Sequence, residues 1–254
     1  MPLRASFAGR SDTGRVRARN EDAWIVSEED GLAVVADGMG GHPGGDTASR
    51  LAADAAAGTL REAAPRAATS ADNLHGPLGD AMARCVLDAH RAVRLTARET
   101  PSLDGKGTTR TALLVAPGSG RWAVGHAGDS RAYLLRGGRL EQVTRDDTWI
   151  QAEVEAGRIP PEEARGHPAA HVLRQCVGLD EPPEPRRYGG DARPGDRFLL
   201  CSDGLTDMVE DSVIQELLAD ADDPDEAARS LVERALEEGG KDNVTVVVVH
   251  LHEG

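Results

Sequence analysis

Three aspartates stand at the ends of strongly apolar runs. Asp37 closes Leu32-Ala-Val-Val-Ala and precedes Gly38, Asp203 follows Phe198-Leu-Leu-Cys-Ser, and Asp242-Asn243 leads into Val244-Thr-Val-Val-Val-Val-His250. Runs of this length and composition read as buried strands, so a rigid sheet would hold these carboxylates together. Gathered carboxylates repel one another, and the repulsion is relieved by protonation or by a bound cation. The pattern predicts a metal site. Asp129, in Gly125-His-Ala-Gly-Asp-Ser-Arg131, has the same setting at the end of an apolar strand.

Neighbouring clusters have competing readings. Ser11 to Asp22, which carries Arg15, Arg17, Arg19 and Glu21, reads in isolation as a charged, solvated loop. Asp37-Gly-Met-Gly-Gly-His-Pro-Gly-Gly45 would let backbone amides approach an oxyanion, but it lacks the Lys-Ser/Thr ending of a P-loop and the spacing of a dinucleotide fingerprint. His126, inside a strand, reads as packing or as bonded to the backbone.

The elements that must position these groups are legible as periodicities. Strand-like runs occur at 23–27, 32–36, 111–116, 121–127, 131–136, 139–143, 196–201 and 243–251. Pro117-Gly-Ser-Gly120 and Gly137-Gly138 are hairpin signals between consecutive runs. They predict mainly antiparallel pairing rather than a parallel sheet with helical crossovers. Helical periodicity predicts a helix over 80–99, with Met82, Cys85, Val86, Ala89 and Val93 on one stripe, and others over 46–62, 211–219 and 225–238. Helices in pairs between blocks of strands imply layered α+β packing. One domain is expected over residues 1–254, with a partly helical excursion over the surface at 145–194. The alanine-rich stretch 61–79 is expected to be mobile, and Arg110, on a core strand, to face solvent or another subunit.

A net charge of −14 argues against general affinity for nucleic acid or anionic lipid, both of which need clustered positive charge, and suits a site that collects cations. The three cysteines, Cys85, Cys176 and Cys201, are odd in number and set in apolar surroundings, which predicts buried free thiols in a reducing compartment. Without a signal-peptide pattern or a bilayer-spanning run, a soluble cytoplasmic protein is expected.

Taken in order, several motifs resemble the metal-dependent Ser/Thr protein phosphatases of the PPM or type 2C family, in its bacterial branch. They are Arg17 with Asn20-Glu21-Asp22, Asp37-Gly38-Met39-Gly40-Gly41-His42, Gly107-Thr108-Thr109, Gly128-Asp129-Ser130-Arg131, Ser202-Asp203-Gly204 and Asp242-Asn243. The resemblance runs from about Ser11 to the C-terminus. It implies a four-layer α-β-β-α sandwich, two mainly antiparallel sheets flanked by helix pairs. It also implies that Asp22, Asp37, the Gly38 carbonyl, Asp203 and Asp242 hold two core Mn²⁺ or Mg²⁺ ions, with Asp37 bridging and Glu21 acting through water. Asp129 and Asp207, with Asp203, match the positions that hold a third ion in bacterial members, although an aspartate after a turn also suits a helix N-cap. Oxygen ligands favour such hard cations. Two of them sharing a water would generate a hydroxide that attacks phosphorus directly, without a covalent phosphoenzyme.

Arg17 matches the phosphate-binding arginine, whose planar fork grips two oxygens. His42 is the nearest candidate acid for the departing alkoxide, and it equally suits a loop histidine with only a structural hydrogen bond. The implied function is hydrolysis of phosphoserine and phosphothreonine in proteins by a monomer that opposes a Ser/Thr kinase. A pseudophosphatase or regulatory binding module of the same fold is the alternative, disfavoured because every aspartate is retained. Cys85 and Arg91 have the spacing of cysteine-based phosphatases, but a thiol on the apolar stripe of a helix lacks the backbone donors that activate a thiolate. A Gly-x-Ser-x-Gly elbow is absent as well. The segment from about Thr144 to Asp180 matches the family only loosely, and such loops set substrate choice.

Overall fold

In the computed structural model, which describes residues 3–39, 44–69, 74–100, 105–116 and 118–254, the chain opens with β1 (Leu3–Asp12), β2 (Asp22–Ser27) and β3 (Leu32–Met39). Two long helices follow, α1 (Gly45–Ala67) and α2 (Pro77–Glu99), then β4 (Gly107–Thr108), β5 (Arg110–Ala116), β6 (Arg121–Ala127), β7 (Arg131–Arg136) and β8 (Arg139–Gln142). The last third runs α3 (Trp149–Glu155), α4 (Pro161–Ala164), β9 (Arg186–Asp191), β10 (Arg197–Cys201), α5 (Asp203–Thr206), α6 (Asp211–Asp220), α7 (Pro224–Glu237) and β11 (Val244–Glu253).

Strand alternation explains the layers. Successive side chains of a strand point to opposite faces, so an unbroken valine run supplies two cores at once. Val244, Val246 and Val248 pack with Ile214, Leu218 and Leu231 of α6 and α7. Val247, Val249 and Leu251 pack instead with Ala33 and Val35 of β3 and Leu113 of β5, between the two sheets. On the far side Leu32, Val34 and Ala36 meet Ala53, Leu60 and Met82 of α1 and α2. Each fully buried Val or Leu of this kind contributes roughly 1.5–3 kcal/mol relative to exposure. The result is helix pair, sheet, sheet, helix pair, the expected four layers.

The sheets have strand orders β1-β11-β10-β7-β8 and β2-β3-β5-β6-β9, with β4 against β3, and every pairing is antiparallel. Gly137 and Gly138 both have positive φ, 58° and 79°, as a two-residue hairpin between β7 and β8 demands. The stripe of α2 is buried as its periodicity predicts, and the three cysteines are buried free thiols.

Several expectations are corrected. The stretch 61–79 is largely helical where it is described: α1 continues into it to Ala67, which is fully buried, because alanine is the strongest helix former, and α2 opens at Pro77. Residues 186–191 leave the expected surface excursion and form edge strand β9, paired with β6. Arg110 faces neither solvent nor a partner; it is fully buried, and its Nη1 donates to Cys85 Sγ at 2.9 Å. The charge misleads because both faces of β5 are covered, so no face of this strand opens to water. Edge strand β1, which pairs with β11 from Leu3↔Glu253 to Asp12↔Val244, has too few apolar residues to read as a strand.

Candidate metal centre

Register brings the first two acids together. Asp22 and Asp37 are direct partners across β2 and β3, on the face that Val35 shares with the intersheet core. The apolar filling between the sheets thus ends in carboxylates. The backbone of Asp37 is clamped: its amide donates to Thr109 Oγ1 at 2.9 Å, and its carbonyl accepts from the Thr109 amide at 2.9 Å and from Thr108 Oγ1 at 2.8 Å. Thr109 Oγ1 also shares a 2.6 Å hydrogen bond with Ser130 Oγ, which ties the Asp37 strand to the turn bearing Asp129. Gly38 is required by close approach, since a Cβ there would overlap the carbonyl oxygens of Gly45 and Glu21.

The other sheet delivers the remaining acids. Asp203 follows β10 and opens the short helix α5, at whose other end Asp207 stands. Asp207 is the C-terminal cap of α5, and the N-cap of α6 is Glu210, so the helix N-cap reading of Asp207 does not hold. Asp242 is fixed by its neighbour Asn243, whose Nδ2 donates to the carbonyls of Thr13 at 2.9 Å and Arg19 at 2.8 Å. The Asn243 Oδ1 accepts from the Glu21 amide at 2.8 Å. This one side chain moors the 13–21 loop to the start of β11.

A cleft of about 350 Å³ collects these groups. Arg17, Glu21, Asp37, Gly38, Asp129, Asp203, Asp207 and Asp242 all line it. Asp22 lies behind, buried against Asp37, with Oδ2 accepting from Ser202 Oγ at 2.8 Å. Arg17 Nη2 pairs with Asp242 Oδ2 at 2.5 Å while its side chain stays half exposed on the rim. His42 lies outside the described residues, as do Gly40 and Gly41 of the same motif. Sequence reasoning missed His171, which lies 3.5 Å from Asp203 and 3.4 Å from Asp207. It also missed the mooring roles of Asn243 and Thr109, although both belong to motifs it quoted. No local signal marked His171, which sits in a Pro- and Arg-rich stretch without periodicity.

The electrostatics are those of crowded acids. Burial, followed by the charges of Asp22 and Asp203, pushes Asp37 well above the usual carboxylate range. Burial likewise raises Asp22 to about 7, Asp207 to about 6, and Asp129 in the same direction. Oδ1 of Asp22 and Oδ1 of Asp203 are buried without any donor. Two orphaned carboxylate oxygens in a cluster of mutually repelling acids fit a divalent cation, which needs acceptors and no donors. The all-oxygen set Asp22, Asp37, Gly38, Asp203 and Asp242 suits Mn²⁺ or Mg²⁺. The other hydrolytic readings fail on contact: Cys85 is fully buried with its thiol pKa raised by desolvation, and Arg91 pairs with Asp88. His126 is a core histidine, bonded to Thr111 Oγ1 at 2.9 Å and to the Arg145 carbonyl at 3.1 Å.

Two stacked antiparallel sheets between helix pairs, with an acid-floored cleft at one end of the seam, define the class of metal-dependent phosphatases. The chain belongs to the protein phosphatase 2C family, whose model matches residues 11–239. It is similar to the serine/threonine protein phosphatase PstP of Mycobacterium tuberculosis, 43% identical over 95% of this chain. The chain spans only 44% of the length of that relative. The serine/threonine phosphatase stp of Listeria monocytogenes is 32% identical, over 94% of this chain and 93% of its own length. A crystal structure of the PstP catalytic domain in complex with two manganese ions superposes with a TM-score of 0.85 at 41% identity, covering 99% of this chain and 100% of that one.

Proposed function

We propose that the chain is a protein serine/threonine phosphatase that requires Mn²⁺ or Mg²⁺. The observation that carries this is the pair of orphaned buried oxygens on Asp22 and Asp203, in one acid cluster with Asp37 and beside a rim arginine. Asp22, Asp37, the Gly38 carbonyl, Asp203 and Asp242 would hold the two core ions, with Asp37 shared between them and Glu21 acting through water. When bound, such ions supply an acidified water at neutral pH and offset charge on the phosphoryl oxygens.

The chain's own groups do the rest. Arg17, swung from its Asp242 pair, reaches phosphate oxygens from the rim and orients the phosphoryl group for in-line attack. The Thr108 and Thr109 clamp fixes the Asp37 backbone, so its carboxylate meets the ions without reorganisation. We read residues 1–254 as one catalytic domain acting as a monomer against a Ser/Thr kinase. Among the described residues no helix is long and apolar enough to cross a membrane. The buried free thiols support a cytoplasmic setting.

The test is turnover of p-nitrophenyl phosphate and a phosphothreonine peptide by purified protein with excess Mn²⁺. Activity lost on chelation, and lost with bound metal in a folded Asp37→Asn variant, is the expected result. No turnover with metal bound would make the chain a binding module of the same fold.

A further inference from the structure

His171 is the feature of the cleft that the reading above leaves without a task. It is delivered by a segment pinned immediately after it. The Trp149 amide donates to the Val172 carbonyl at 2.7 Å and the Arg174 amide to the Asp147 carbonyl at 2.7 Å, while Thr108 and Val177 form a β-bridge. The imidazole is therefore presented by a fixed backbone, and although the side chain is half exposed, both ring nitrogens turn inward to carboxylates.

The spacing allows ion pairing but is long for hydrogen bonds, and it leaves the ring nitrogens free to coordinate. Nδ1 stands 3.5 Å from Asp203 Oδ2, and Nε2 3.4 Å from Asp207 Oδ2. Both exceed the usual range for a hydrogen bond of this type, about 2.7–3.2 Å. Neighbouring ligand atoms each about 2.1 Å from an octahedral ion stand about 3.0 Å apart, a short movement from the 3.5 Å between Nδ1 and Asp203. One ligand atom each from Asp129, His171 and Asp203 lies within 4.8 Å of the others. Asp203 Oδ1 is buried without a donor, and Asp129 is only 9% exposed.

We propose that the His171 nitrogen facing Asp203 is a metal ligand, completing with Asp129 and Asp203 a mixed nitrogen–oxygen pocket that takes Mn²⁺ in preference to Mg²⁺. This deepens the phosphatase reading and rests on it for the neighbouring core ions. The other ring nitrogen faces Asp207 at 3.4 Å, and Asp207 acts as the orienting charge for the imidazole rather than as a ligand, in the manner of carboxylate–histidine–metal arrays. Selectivity follows from ligand type. Mg²⁺ is held by oxygen and keeps its waters, whereas imidazole suits first-row transition ions. The histidine and Leu173 of the same segment line the cleft, so occupancy of this pocket would tie that segment to the acid cluster.

The test uses the full chain with Mn²⁺ alone as probe, read by pulsed electron paramagnetic resonance and by counting bound ions. The wild type is expected to bind three Mn²⁺ and to show nitrogen modulation from a coordinated imidazole. His171→Ala should lose the modulation and weaken one ion by at least about tenfold, leaving the other two. His171→Asn, which keeps a polar side chain of similar reach without a ring nitrogen, should behave like His171→Ala. Excess Mg²⁺ should displace two ions before the third. Absence of nitrogen modulation in the wild type, or its persistence in both variants, overturns the proposal. Nitrogen modulation without phosphatase turnover would instead sink the catalytic reading and leave the His171 site standing.

Discussion

At the scale of single residues, Arg110 shows how little a side chain's type reveals of its surroundings. Its guanidinium is fully buried with one partner, the Cys85 sulfur, and Nε and Nη2 have no acceptor. Burial lowers its pKa, and the sulfur only partly opposes this. Removing a buried charge together with its unmet donors relieves a desolvation cost, whereas removing only its partner leaves that cost in place. Arg110→Met is therefore expected to leave the unfolding free energy unchanged or to raise it by about 1–4 kcal/mol. Cys85→Ala is expected to lower it by about 1–3 kcal/mol, by stripping the guanidinium of its acceptor. Urea unfolding of the two variants decides the matter, and a large loss in Arg110→Met would show that the guanidinium is better satisfied than its contacts suggest. Neither Arg110 nor His171 was readable from its neighbours in the chain, because each acquires its role from a group far away in sequence. Asp37, Asp203 and Asp242 were readable because each is tied to an apolar run that fixes its place at the end of a sheet.

At the scale of elements, legibility follows burial. Strands β3, β10 and β11 are covered on both faces and read as unbroken apolar runs; β1 and β9 lie at sheet edges, where Arg, Ser and Gly suffice. The joints between elements were invisible for another reason, since they depend on backbone approach. Gly204, in α5, packs so close to the start of β11 that a Cβ would overlap the Asn243 carbonyl. Asn243 in turn holds the carbonyls of Thr13 and Arg19 and the Glu21 amide, on the loop that carries Arg17. Gly204→Ala should therefore push α5 from β11, costing about 1–3 kcal/mol and loosening Asp203, Asp242 and Arg17 together. Urea unfolding and Mn²⁺ titration check this jointly. A variant with wild-type midpoint and wild-type metal affinity would mean that the joint has slack.

At the scale of the whole molecule, the acid cluster couples metal, protons and stability. Burial raises Asp22 to about 7 and Asp207 to about 6, and Asp37 and Asp129 move the same way. An acid whose folded pKa is raised holds its proton more tightly folded than unfolded. Its stabilisation is complete below the unfolded value, near 4, and is lost as pH climbs through the folded value. His171, raised to about 9 first by its contact with Asp203, contributes with the same sign, its stabilisation present below about 6.5 and lost on the way to 9. Acids and base thus both weaken the metal-free fold as pH rises. A bound cation takes over from the lost protons, and its binding to the folded state alone adds stability by mass action. The rise in Tm produced by Mn²⁺ relative to chelator should therefore grow between about pH 5 and pH 8. Asp22→Asn, which keeps the shape and removes one buried charge, should make the metal-free protein more stable than wild type at the upper end of that range and flatten its pH dependence. Thermal unfolding with and without Mn²⁺ across the range measures both effects. An increment that stayed constant or shrank with pH would show that the acids are not protonated in the metal-free fold, and the cation would then have no protons to displace.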